Sequence, residues 1–450
     1  MACVLSPSSE APAVRRAAAE AVPLWPLMRA LYPLCRSITG DGVRRSLDLL
    51  ERWIPLERSE VPTGTPLFDW RVPDEWNVRE AWIADADGRR VVDFRNHNLH
   101  LMGYSAPVRE RLSLEALRPH LHTLPERPDW IPYRTTYYRR DWGFCLRHRD
   151  LARLGPGPFD VLVDTTLAPG HLTYAECVVP GSTPGEALVY THTCHPSLAN
   201  DNLTGMAVAT ALAHELLQGP PPRLTWRFVF GPGTIGSLAW LSRNEARLPR
   251  VRAGLVLGLL GDVGPLRYKR SRRGGCDTDR AAELVLRGVP GARVMDFEPY
   301  GYDERQFCSP GFDLPVGRLT RSPNGAYPEY HSSADDLAMI EPAALDESLR
   351  TAARLIEVLD GNRRLVNLSP KGEPQLGRRG LYGAIGGTAP GELQHALLWV
   401  LSLADGRHDL LAIAERSGLP FSRVARAAAA LEAAGLARDI DSPASNGGEA

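Results

Sequence analysis

In the stretch YTHTCHPSLANDNLTG, Tyr190 to Gly205, two histidines, a cysteine and an aspartate stand where an apolar strand gives way to an apolar helix. Neutral imidazole and ionised carboxylate are ligands that zinc takes, so the chemistry such a stretch offers is metal binding. His195 and Asp201 fall in the loop between ALVYTHT and the helix opening near Leu203. Their side chains can converge there, since open α/β sheets bind ligands at the carboxyl ends of strands. Asp262 closes a second apolar run, AGLVLGLLGD, where a lone acid is costly to bury without a positive partner. His331 lies in PEYHSSADD, with Asp335 and Asp336 near enough in sequence to orient its ring. Taken singly, each residue has a commoner use: Asp201 as a helix cap, Asp262 in an ion pair, the histidines as hydrogen-bonding groups. Together, His195, Asp201, Asp262 and His331 make a set suited to zinc with an open position. His192 competes with His195; Pro196 stops the strand after His195 and favours it as the residue that looks into the cleft.

The elements that must position this set alternate between strand and helix. GEALVYTHT, LTWRFVF and AGLVLGLLG read as strands, and GMAVATALAHELL and SLAWLSRNEA as helices. That alternation predicts an α/β fold with a mainly parallel sheet covered by helices on both faces. The core is expected over residues 20–63 and 111–372, interrupted at 64–110 by a β-rich insert whose texture is FDWRVPDEWNVREAWIADADGRRVV. A Gly/Pro-bearing linker then leads to three helical patterns within 388–440, which resemble a winged helix. Residues 441–450 read as a disordered tail.

Fifty-two basic residues against 53 acidic ones leave a net charge of −1, which speaks against nucleic acid or an anionic membrane surface as partner. No apolar run is long enough for a membrane span, and the start lacks a signal-peptide pattern, so a cytoplasmic location is expected. The seven cysteines, without CxxC spacing, read as reduced thiols.

At CHPSLANDNLTG, TIGSLAWLSRN, DERQFCSPGFDLP and PEYHSSADDL the chain resembles an aminopeptidase-like zinc-hydrolase family of bacterial proteins. That family is a branch of the co-catalytic zinc aminopeptidase superfamily and carries an inserted β domain and a C-terminal winged helix. The resemblance runs over about residues 25 to 440, from LYPLCRSITGDGVR onward. It implies that Asp201 bridges metals, that His195 and Asp262 complete the first metal's ligands, and that His331 serves the second. The superfamily's acidic pair, whose first member is the general base, falls on Gly233 and Thr234 in FGPGTIGS; a Glu-Thr pair in the nearer family makes Gly233 a departure.

The function expected is zinc-dependent hydrolysis of an amide bond in a small aminoacyl or peptide-like substrate, by a homo-oligomer. The carboxylates offered for catalysis are Asp303, Glu304 and Glu329, the last as the replacement base nearest His331 in sequence. Arg305 is offered for a substrate carboxylate, and Tyr302 for the pocket wall. The competing expectation is a catalytically silent protein of the same fold that binds a metabolite or partner.

Overall fold

A computed structural model describes residues 20–381 and 391–441. Its central sheet has eight strands: β1 (Glu57–Pro62), β2 (His171–Val179), β3 (Glu186–His192), β4 (Thr225–Gly231), β5 (Val251–Leu257), β6 (Arg267–Lys269), β7 (Arg293–Met295) and β8 (Val316–Thr320), in the spatial order β1-β2-β4-β3-β5-β8-β6-β7. The four central strands β4, β3, β5 and β8 are mutually parallel. On one edge β1 and β2 run antiparallel, and on the other β6 pairs antiparallel with β8. Strand periodicity assigns the two faces. Ala187 and Val189 of β3, Trp226, Phe228 and Phe230 of β4, and Leu255 and Leu257 of β5 join one apolar cluster. Leu188, Tyr190, Val229 and Val256, one residue out of phase, join the other.

The first face is covered by helices Leu24–Leu31, Asp41–Glu51, Thr204–Gln218, Asp277–Leu286 and Pro342–Gly361. The second is covered by helix Ile235–Asn244 and by side chains of a separate antiparallel sheet. That sheet orders Arg90–Asp93, Glu75–Ala84, Phe159–Ala168 and Val108–Leu112. The β-rich unit thus extends beyond the 64–110 expected from texture, because Phe159–Ala168 pairs with both Glu75–Ala84 and Val108–Leu112. Only at His171 does the chain return to the central sheet.

The carboxyl end folds as helices Glu392–Leu403, Leu410–Ser417 and Phe421–Ala433 with a three-stranded sheet. The middle strand of that sheet is Arg364–Asn367, upstream of the linker; it pairs with Asp405–Asp409 and Ala437–Asp439. Leu355 and Leu359 of the core and Phe421, Val424 and Leu431 of the last helix belong to one continuous apolar cluster. Arg280 of the core reaches both Asp409 (2.9 Å) and Glu415 (2.8 Å). The expected disordered tail lies, apart from Asp441, outside the described residues. The six cysteines among the described residues are unpaired, and no described helix is long and apolar enough to cross a membrane.

Candidate metal centre

β3 is buried along all seven residues and ends at His192, beside Gly231 of β4. The loop that follows is held from several sides. Buried Arg36 donates its Nε to the His195 carbonyl (3.0 Å), and Ser197 donates to the Tyr32 carbonyl (3.0 Å). Two asparagines then bracket Asp201. Asn200 donates to Asp262 (3.0 Å) and accepts from Gly261 N (2.9 Å), while Asn202 donates to Thr191 Oγ1 (2.9 Å) and accepts from Leu259 N (3.2 Å). Both amides therefore stitch this segment to the chain leaving β5. The Asp201 side chain between them is left to face the histidines.

Three imidazoles gather on that carboxylate. His192 Nε2 lies 2.7 Å from Oδ1 and His195 Nδ1 3.7 Å from the same oxygen, while His331 Nε2 lies 3.1 Å from Oδ2. Among the described residues, ligand atoms of His192, His195 and Asp201 all fall within 4.8 Å of one another, close enough to share one ion. His331 sits at a left-handed φ of 56°, a costly conformation for a residue with a side chain, and its ring stacks on Tyr330 at 3.9 Å between centroids. Tyr133 closes the cluster from the β-rich side. Its ring meets His195 and His331 edge-on at 5.3 and 5.0 Å, and its N–H donates to the His331 carbonyl (2.8 Å).

The electrostatics keep the ligands ready. Burial pushes His195 down to about 3, against the pull of Asp201, so its ring is neutral at physiological pH. Burial also lowers His192, with the positive charge of Arg318 contributing. Burial alone would raise Asp201, yet the surrounding histidines, hydrogen-bonding from His192 and His331, hold its carboxyl well below the usual range. Neutral rings at His192 and His195 beside an ionised Asp201 are the protonation states a divalent metal requires. Cys194 lies among them, but burial pushes its thiol up to about 12, which leaves it a neutral thiol.

Of the residues expected from sequence, His195, Asp201 and His331 come together, and His192 joins them. The preference for His195 over His192 dissolves, because both rings face Asp201 from opposite ends of the same turn. Asp262 stands apart. Its carboxylate accepts from Ser322 Oγ (2.7 Å), Gly264 N (2.8 Å) and Asn200 (3.0 Å), so neutral donors offset its burial. Asp335 does not orient the His331 ring; it accepts from the backbone N–H of Asn200 (2.6 Å) and Asp201 (3.1 Å) and from the Tyr327 hydroxyl (2.9 Å). Asp336 caps the short turn Leu337–Met339. Glu304 pairs with Lys269 at 2.6 Å and is committed there. Asp303 is fully buried, and burial pushes its carboxyl well above the ordinary range, leaving it a neutral acid. Glu329 is half-buried and gives its main-chain carbonyl to Ser332, and Arg305 is exposed.

Tyr302 does line the cluster. Its ring packs against His192 at 4.4 Å between centroids, and its hydroxyl lies 3.4 Å from Cys194 Sγ. Arg36, Tyr133, Asn200 and Asn202 complete the site without a ligand-type spacing to announce them. The asparagines flank Asp201 directly, and that adjacency was the one local signal available.

Comparison with known proteins agrees with this architecture. A family model described as "Domain of unknown function (DUF4910)" matches residues 25–362. The chain belongs to the DUF4910 family. A second model, a winged helix-turn-helix, matches residues 363–439, which confirms the winged helix expected at the carboxyl end and begins it at the strand before the linker. This DUF4910 chain is 44% identical, over 91% of its length and 94% of the relative's, to a Clostridium acetobutylicum protein named "Putative polysaccharide biosynthesis protein with aminopeptidase-like domain". It superposes with TM-score 0.86 and 42% identity on a crystal structure of a "putative peptidase" from the same organism, covering 93% of this chain and 96% of that one. A zinc aminopeptidase of Bacillus subtilis shares the fold at TM-score 0.54 and 12% identity, over 74% of this chain and 94% of that one. The DUF4910 core is therefore aminopeptidase-like in fold, as the sequence motifs implied.

Proposed function

We propose that this DUF4910 protein is a zinc-dependent hydrolase of an amide bond in a small aminoacyl or peptide-like substrate, and a slow one. The observation that carries the reading is the convergence of His192, His195 and His331 on the buried carboxylate of Asp201 at the end of a central strand. Zinc there would be held by His192, His195 and Asp201, with His331 on the opposite oxygen, and would supply Lewis acidity toward a carbonyl. The chain's own contribution is placement and dryness. Asp335 fixes the backbone of Asp201, Arg36 fixes that of His195, and Tyr133 and Tyr302 wall the cluster from water. Support for zinc comes from the shared fold with the Bacillus subtilis zinc aminopeptidase, and support for peptidase-type chemistry from the names of the Clostridium relatives.

Slowness follows from position 233. Gly233 offers no carboxylate to move a proton between attacking water and leaving amine, and such assistance is worth about 10² to 10⁴ in rate. The same observation favours a second reading, a catalytically silent protein that binds an amide-bearing metabolite. Purified protein loaded with zinc and screened against aminoacyl and N-acyl amides decides between them. Slow turnover that disappears in Asp201→Ala supports hydrolysis; full zinc occupancy with no turnover on any such amide supports the silent reading.

A further inference from the structure

Beside the metal centre, the DUF4910 core buries a guanidinium that the protein does not satisfy. Arg318 on β8 is 4% exposed. Its Nη1 donates to Asn324 Oδ1, and Glu304, the nearest carboxylate, is 3.9 Å from that same nitrogen and already paired with Lys269. Arg318 Nε and Nη2 are buried and have no hydrogen-bond partner. Those two nitrogens point the same way along one edge of the planar guanidinium, the edge that grips two oxygens of a single oxyanion. Most buried donors in folded proteins are satisfied, so two open nitrogens on one edge of a buried charged group call for an acceptor from outside the chain.

Arg318 lines a cleft of about 50 Å³ together with Arg267, Lys269, Tyr300, Thr320 and Asn324. Arg267 Nε is likewise buried without a partner. Lys269 is occupied by Glu304 and by the carbonyls of Glu298 and Tyr300, so it adds no free charge. Glu298 also lines the cleft, where its main-chain carbonyl accepts from Lys269. The cleft is joined to the metal centre by a short relay: Asn324, which holds Arg318 Nη1, donates to the Tyr330 hydroxyl (3.1 Å), and the Tyr330 ring stacks on His331. Tyr330 thus stands between Asn324 of the cleft lining and His331 of the metal centre.

We infer that Arg318, supported by Arg267, is the subsite for an oxyanion carried by the ligand of the metal centre, a carboxylate or a phosphate. Naming that ligand a substrate rests on the hydrolase reading; the oxyanion preference does not. The inference moves the role expected of Arg305 to Arg318, since Arg305 is exposed on the short helix Glu304–Phe307 while Arg318 is desolvated, where a fork of N–H donors discriminates most strongly. Because the free edge is screened from water, a ligand must displace part of the cleft lining, of which Tyr300 is 63% exposed.

The test is calorimetric titration of the full chain, zinc-loaded and chelator-treated, with L-glutamate, inorganic phosphate and, as uncharged control without a carboxylate, glutaramide. The wild-type protein is expected to bind one of the two anions at least about tenfold more tightly than glutaramide, a difference of one charge-assisted hydrogen-bonded pair. Glutamate preferred identifies a carboxylate, and phosphate preferred identifies a phosphorylated ligand. Arg318→Gln and Arg318→Lys should both abolish the preference, the lysine because a point charge lacks the fork, with zinc content unchanged. Should Arg318→Gln fail to fold, Arg267→Gln is expected to weaken anion binding several-fold. Absence of any anion preference in the wild type, or its survival in the folded Arg318→Gln protein, overturns the inference. Since binding is read with and without zinc, absence of hydrolysis leaves this result standing and bears only on the enzyme reading.

Discussion

The ring of Tyr302 occupies the space into which a side chain at position 233 would project: a Cβ on Gly233 would lie 2.5 Å from Tyr302 Cζ and 2.7 Å from its hydroxyl. The ring cannot retreat freely, since it packs on His192 and its hydroxyl meets Cys194. Gly233 and Tyr302 are therefore one structural unit. Sequence alone suggests that Gly233→Glu would restore a base; the structure shows that the glutamate has no room. Gly233→Glu or Gly233→Ala is expected to destabilise the protein by about 1–3 kcal/mol through overpacking. The double change Gly233→Glu with Tyr302→Ser should recover that loss and raise the rate on aminoacyl anilides at least about tenfold. Thermal melts and turnover on the three proteins check both parts.

Asp335 holds the backbone of Asn200 and Asp201 without touching a ligand atom. Asp335→Asn, which exchanges one acceptor oxygen for a donor, is expected to weaken zinc affinity by about 10- to 100-fold while the fold persists. Competition with a chromophoric chelator measures it.

The winged helix should not be removable. Its sheet is built around Arg364–Asn367, and its last helix shares an apolar cluster with the core helix Pro342–Gly361. Deleting residues 391–450 is expected to leave that strand unpaired and the cluster exposed, and so to give insoluble protein. Soluble expression of the truncated chain, compared with the full one, checks this.

Acid stability should depend on Glu75, which ties the β-rich unit to helix Asp41–Glu51 through Arg44 by two hydrogen bonds of 2.7 Å. The Arg44 hydrogen bonds hold the Glu75 carboxyl down at about 2, against its ordinary 4.5. A folded-state value below the unfolded one gives stability that is present above pH 4.5 and lost as pH falls toward 2. Wild-type melting temperature should therefore fall more steeply across that window than that of Glu75→Gln.

The alternation of apolar strands and helices made the central sheet legible, because β3, β4 and β5 carry residues buried on both faces and read as continuous apolar runs. The extent of the β-rich unit was not legible. Phe159–Ala168 pairs with strands some fifty to ninety positions earlier, and local periodicity carries no information about partners. Around the site, His195, Asp201 and His331 were found because their residue types are rarely buried without purpose. Asp262 was grouped with them because a strand-end acid looks alike whether a metal or Ser322 and Gly264 satisfy it. Arg36 and Tyr133 act through a main-chain carbonyl and a ring edge, contacts that leave no spacing pattern in the chain.

Whether His192, His195 and Asp201 hold a metal is read by elemental analysis of the purified protein and three variants. About one zinc per chain is expected in the wild type and in Asp262→Asn, and none in His192→Ala or Asp201→Ala, since each of these removes one of the grouped ligands. Full zinc retention in both His192→Ala and Asp201→Ala, or its loss in Asp262→Asn alone, would mean that these three residues do not hold the metal.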